Sequence, residues 1–237
     1  MMDFFKQKAQ HFVNHFMKTI LLVGASSAMA QSTARILEQE GNRVIRLSRN
    51  ADYSDFPILD YHESLPTLDS AIDGIVYFPG TIQLKPFRSL KVEDFKQDLE
   101  IHVFGAINVL KAYASLLSES SSVVLISSVA AHLGMPFHAS VSLSKGALEG
   151  LALALAAEWS PKTRVNVVAP SLTLTPMAEK LTNSPEKVEA GANRHPLKRL
   201  GNPEDFSQII SFLLSDNSSW ITGQTFAVDG GLSALKV

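Results

Sequence analysis

The chain has no cysteine. That excludes disulfides, zinc sites built on thiolates and thiol nucleophiles, and it suits a reducing compartment, so a cytoplasmic protein is expected. Net charge is also scarce. Twenty-one lysines and arginines against 23 aspartates and glutamates leave −2 over 237 residues, and nothing favours nucleic acid or an anionic lipid surface as a partner. No apolar run has the length of a membrane span, no internal repeat or low-complexity tract occurs, and no linker rich in Pro, Gly or Ser divides the chain. What is present is a composition of 46% hydrophobic and 19% charged residues, enough for one large α/β domain.

Residues 1–17 stand apart. Phe5, Ala9, Phe12 and Phe16 fall at helical spacing, which predicts an amphipathic helical extension without the apolar core and cleavage site of a signal peptide. Such a helix either covers an apolar surface of its own chain or docks on something else. From residue 18 onward strands and helices alternate. Strands are expected at Thr19–Val23, Arg43–Leu47, Pro57–Leu59, Ile75–Phe78, Val123–Ile126, Arg164–Ala169 and Thr225–Val228. Helices are expected at Ala30–Glu40, across Val92–Leu117 and across Lys145–Glu158. Apolar strands separated by helices imply a doubly wound parallel sheet of about seven strands, covered on both faces, in a single domain spanning 18–237. Sheets of this kind bind ligands beyond the carboxyl ends of their strands.

The first strand runs into Gly24-Ala25-Ser26-Ser27-Ala28-Met29 and then a helix. A glycine turn between a strand and a helix brings backbone N–H groups and a helix dipole to a pyrophosphate. Taken alone it is equally an ordinary strand–helix turn. Further motifs follow in order: Tyr77-Phe78-Pro79-Gly80, Ser127-Ser128, Val141 to Lys145, Pro170-Ser171-Leu172-Thr173-Leu174-Thr175-Pro176-Met177, Pro196 to Asp205, Ile221-Thr222-Gly223-Gln224 and Val228-Asp229-Gly230-Gly231. In this order and spacing the chain resembles the classical short-chain dehydrogenase/reductase family, a single-domain Rossmann fold, from about residue 18 to the C-terminus. It departs from the family's glycine-rich turn at Ala28 and Ala30. From its NNAG motif it keeps only Gly80. From its YxxxK motif it keeps only Lys145, with Val141 at the tyrosine position.

The resemblance implies a nicotinamide cofactor held by Gly24, Ser26, Ser27, Ala28 and Met29, by Tyr77 to Gly80, by Lys145, and by Pro170, Ser171, Thr173 and Thr175. It also places Asp60 at the adenine amino group, although as a residue it could simply begin a turn. The second strand ends in Ser48-Arg49 with no acid at its tip. A cation there attracts a 2′-phosphate, so NADP(H) is expected over NAD(H), unless Arg49 is only a solvated surface charge. The family's serine falls on Ser128, its asparagine on His102 and its substrate lid on about 177–196, where no metal-ligand cluster occurs, so no metal is expected. Valine neither gives nor takes a proton, and general acid–base help is typically worth ~10² to 10⁴-fold. His102 and His138 are the candidates to stand in for the missing phenol. Two functions remain open: an NADP(H)-dependent oxidoreductase acting on a small-molecule carbonyl or alcohol, and a non-catalytic NADP(H)-binding sensor or silent subunit. Family resemblance also implies a homodimer or homotetramer built on the helices near 95–117 and 145–158.

Overall fold

A computed structural model describes residues 17–57 and 65–236. The expected N-terminal helix, apart from Met17, and Asp60 lie outside the described residues. Seven parallel strands form one sheet in the order β3-β2-β1-β4-β5-β6-β7. They are β1 (Thr19–Val23), β2 (Arg43–Ser48), β3 (Phe56–Pro57), β4 (Ile72–Tyr77), β5 (Leu117–Ile126), β6 (Thr163–Pro170) and β7 (Thr225–Val228). The chain winds outward one way from β1 through β2 and β3, then back through β4 to β7. The reversal lies between β1 and β4, and a crevice opens at such a switch point.

The strand pattern explains the two covered faces. Successive residues of a strand point to opposite sides. Leu21, Val23, Ile75, Tyr77, Val123, Leu125, Val165 and Val167 pack on one face, while Ile20, Leu22, Val76, Val124, Ile126 and Val168 pack on the other. The second face is covered by α1 (Ala28–Gln39) and α7 (Pro203–Leu214), through Ala30, Ala34, Leu37, Phe206 and Ile210. Ala30 is fully buried there, where a larger residue would separate helix from sheet. The first face is covered by α3 (Gly105–Tyr113) and α4 (Ala139–Trp159), through Ala106, Val109, Leu148, Ala152 and Ala156. Among the described residues α4 is the one helix long and apolar enough to cross a membrane. One stripe of it, with Leu148, Ala152 and Ala156, packs on the sheet, while Leu143 and Leu153 face outward.

The long helix expected over Val92–Leu117 is broken. It divides into α2 (Val92–Leu99), a π turn at Glu100–Phe104, α3 and a 3₁₀ turn at Ala114–Leu116. The cause is Tyr77. Its phenol inserts into the helix wall and donates to the Ile101 carbonyl at 2.6 Å, and the Gly105 N–H reaches back to the Glu100 carbonyl. A side chain entering the backbone ladder is a recognised source of such turns. Residue 105 must be glycine, because a Cβ there would lie 2.3 Å from the Tyr77 hydroxyl. Strand β5 begins six residues earlier than the apolar run Val123–Ile126 suggests. Three of its four serines are seen with partners: Ser118 donates to Asp73, Ser121 pairs with Thr163, and Ser122 donates to the Leu213 carbonyl.

The lid stretch folds as a 3₁₀ turn at Pro176–Ala178, α5 (Glu179–Thr182) and α6 (Pro185–Arg194). Its far end is pinned. His195 Nδ1 donates to the Gly191 carbonyl at 2.7 Å, which leaves Nε2 to accept from the Ser171 hydroxyl at 2.8 Å.

Candidate active site

One cavity of about 1020 Å³ runs across the carboxyl ends of the strands. At one end stands the turn after β1. Gly24 has φ +79°, and a Cβ there would come within 2.9 Å of the Pro79 ring, so only glycine allows the two loops to meet. Ser27 caps α1 by accepting from the Ala30 N–H at 3.1 Å. Ser26, Ala28, Met29 and Arg49 complete this end, with Phe78, Pro79 and Gly80 beside them. At the other end stand Ser128, His138, Val141 and Lys145, with Pro170, Ser171, Thr173 and Thr175 along the edge.

Three residues expected at the site are turned away from it. Tyr77 is fully buried, and its hydroxyl is spent on the Ile101 carbonyl. The Ser48 hydroxyl accepts from the Asn50 N–H at 3.1 Å and stabilises the turn behind Arg49 instead of facing the cavity. His102 is fully buried beneath the floor. Its Nε2 accepts from the Thr81 N–H at 2.9 Å, so Nδ1 carries the hydrogen and donates to the Ser144 hydroxyl at 2.7 Å. Burial, reinforced by the Lys145 charge, drives its pKa down to about 2. His102 is therefore held neutral within the floor and does not line the cavity, which sets it apart from the cavity position expected of a proton donor.

His102 belongs to a closed polar network. The Thr81 hydroxyl donates to Asp98 Oδ1 at 2.6 Å, and the Ser140 hydroxyl donates to Asp98 Oδ2 at 2.6 Å. The Ser144 hydroxyl lies 3.1 Å from the Ser140 and Val141 carbonyls. Asp98 is fully buried, so these hydroxyls are its compensation. Lys145 stands above this floor and donates from Nζ to the Ile126 carbonyl at 2.8 Å. Burial lowers its pKa to about 7 against the opposing pull of Asp98 and Glu149. A methyl on Gly80 would sit 3.6 Å from both His102 Nε2 and Lys145 Nζ, which fixes where loop and floor meet.

His138 differs from His102 in lining the cavity. Its Nδ1 is 2.7 Å from the Pro136 carbonyl. A carbonyl only accepts, so Nδ1 holds a hydrogen and Nε2 is the position free to exchange one. Ser128 accepts from the Ala130 N–H at 3.2 Å, which fixes its hydroxyl at the end of β5. Val141 is buried at the cavity wall, one helical turn before Lys145.

Sequence reasoning missed Thr81, Asp98 and Ser140, because single polar residues in separate elements carry no motif. It also missed the lid's lysines and arginine, whose spacing of seven between residues 187 and 194 was the available signal.

The comparisons with known proteins agree with this geometry. A family model described as enoyl-(acyl carrier protein) reductase matches residues 60–233. The chain is similar to the 3-oxoacyl-(acyl-carrier-protein) reductase FabG of Thermotoga maritima, with 30% identity over 243 residues covering 91% of this chain and 97% of that one. It is equally similar to L-xylulose reductase of Bos taurus, with 30% identity over 233 residues covering 90% and 96%. Among solved structures, the ligand-free aldohexose dehydrogenase of Thermoplasma acidophilum superposes with a TM-score of 0.83 at 26% identity, covering 93% of this chain and 95% of the other.

Proposed function

Because the chain belongs to the short-chain dehydrogenase/reductase family, we propose that it is an NADP(H)-dependent oxidoreductase acting on a small-molecule carbonyl or alcohol, with Val141 in the place of the family's tyrosine. The observation that carries this reading is that Ser128 and Lys145 line the same cavity as the Gly24 turn and Arg49. The cavity fits a dinucleotide. A glycine at φ +79° keeps the turn open, and the N-terminus of α1 faces the space with its cap in place. The exposed Arg49 guanidinium suits a 2′-phosphate.

A nicotinamide held here would supply or accept the hydride. Lys145, its amine positioned by the Ile126 carbonyl, would hold ribose hydroxyls. Ser128 orients the substrate oxygen. His138 Nε2 exchanges the proton, directly or through water, while the Pro136 carbonyl holds the ring in that tautomer. The protein is cytoplasmic in this reading and assembles as a homodimer or homotetramer. The exposed Phe104, Leu143 and Leu153, on α4 and the π turn, support such an assembly.

A second reading, a non-catalytic NADP(H)-binding sensor or silent subunit, draws on Val141 and on the neutral, buried His102. One assay separates the two: NADPH consumption by the wild type and by Val141→Tyr on a shared panel of ketones, diketones and quinones. Turnover by the wild type supports the oxidoreductase. Turnover by the variant alone, with a gain of ~10² to 10⁴-fold, supports the sensor or silent subunit.

A further inference from the structure

We propose that the substrate carries an anionic group, a carboxylate or a phosphate, and that the lid binds it through Lys187 and Arg194 with Lys180 beside them. This rests on the reading of the cavity as a cofactor site with a substrate site under the lid.

The argument begins with how the lid distributes its charge. Between Met177 and Pro196 it holds three carboxylates, Glu179, Glu186 and Glu189, and three full cations, Lys180, Lys187 and Arg194. All three cations line the cavity and none of the three carboxylates does. Helix geometry makes the sorting strict. Residues 187, 190, 191 and 194 fall on one face of α6, and all four line the cavity. Residues 186 and 189 each sit one position away, rotated by about 100°. Gly191 locks this orientation, since a Cβ there would lie 2.9 Å from Leu200 and 3.2 Å from Leu172, so the helix seats closely on the body of the protein.

The charges are also left uncompensated. Among the described residues none of the three cations enters an ion pair. The Lys187 ammonium is braced by two neutral acceptors, the Lys180 carbonyl at 2.9 Å and Asn183 Oδ1 at 2.7 Å, which aim it without neutralising it. Among the described lining residues Glu100 is the sole carboxylate. The cofactor's own anionic groups are met at the other end, by the Gly24 turn and Arg49, so the lid's charge answers to a second molecule. Ile82, Leu84, Met135 and Leu181 give the same cavity apolar walls for the carbon skeleton.

The test is a calorimetric titration of NADPH-loaded protein with two matched pairs: 5-oxohexanoate beside its methyl ester, and dihydroxyacetone phosphate beside dihydroxyacetone. The expected result is that one charged member binds at least about tenfold more tightly than its neutral partner, the usual scale for a hydrogen bond to a charged group. Which pair responds separates carboxylate from phosphate. The preference should shrink as KCl is raised, vanish in Lys187→Ala/Arg194→Ala, and persist in Glu186→Ala/Glu189→Ala. Equal binding within both pairs, or no binding by any of the four, overturns the proposal while leaving the cofactor reading intact. So does a double variant that weakens NADPH by the same factor, because the lid cations would then serve the cofactor. Wild-type protein that fails to bind NADPH removes the cofactor reading, and this proposal with it.

Discussion

The two ends of the cavity are built by different means. At the end proposed for the dinucleotide the groups on offer are backbone N–H groups, a capped helix and one exposed guanidinium. At the end proposed for the reaction they are side chains resting on a buried floor in which Thr81, Asp98, His102, Ser140 and Ser144 satisfy one another. An exposed charge acts almost alone, and its loss is confined to the ligand it meets. A buried network is coupled, so a change in one member is felt as stability, as a neighbour's protonation and as activity together.

Five measurements would break or sharpen that contrast. The largest effect is expected from His138→Ala, which should lower kcat by ~10² to 10⁴-fold with little change in NADPH affinity. Unchanged turnover would remove His138 as the proton source. Next comes Arg49→Ala, expected to weaken NADPH by about 10- to 100-fold and NADH far less, since it removes one charge-assisted bond to a 2′-phosphate. Equal losses for both cofactors would detach Arg49 from that phosphate.

Asp98→Ala should reach further through the molecule. It strands the Thr81 and Ser140 hydroxyls, at roughly 1–3 kcal/mol of stability in urea denaturation. It also removes a group that holds up the Lys145 pKa, so that pKa should fall below about 7. If NADPH binding at pH 7 is insensitive to this change, floor and lysine are not coupled.

The smallest effect is a slope. His102 has its folded-state pKa depressed from 6.5 to about 2, so between those values the unfolded chain binds a proton that the folded chain refuses. Stability from this group is complete above pH 6.5 and is lost as pH falls toward 2. His102→Asn should flatten that acid limb in denaturant midpoints measured across pH 6.5 to 4. Lys145 acts in the opposite range. Its folded pKa near 7 lies below 10.5, so its contribution grows as pH rises from about 7 toward 10.5 and is flat below that window. A Lys145→Met variant should lose this alkaline slope.

Much of the fold was legible because buried parallel strands advertise themselves as β-branched runs. Thr19–Val23 and Thr225–Val228 matched residue for residue, and β2 nearly so. Illegible features depended on contacts between distant segments. No local pattern announces that Tyr77 will open the helix at Ile101, or that the Ser118–Ser122 run will pair as strand. The same division holds at the site. The Gly24 turn, Ser128, His138 and Lys145 came from ordered motifs and helical spacing, and all line the cavity. Ser48, Tyr77 and His102 sit at the right places in the chain, but their side chains are claimed by turn, helix and floor.

The floor bears on how this site can change over generations. Its hydrogen bonds close among residues 81, 98, 102, 140 and 144, and residue 141 lends them only its backbone carbonyl. The side chain at 141 can therefore be exchanged without unpicking the architecture that surrounds it. One residue exchange there is enough to add or remove a proton donor while the hydrogen-bonded floor around it stays closed.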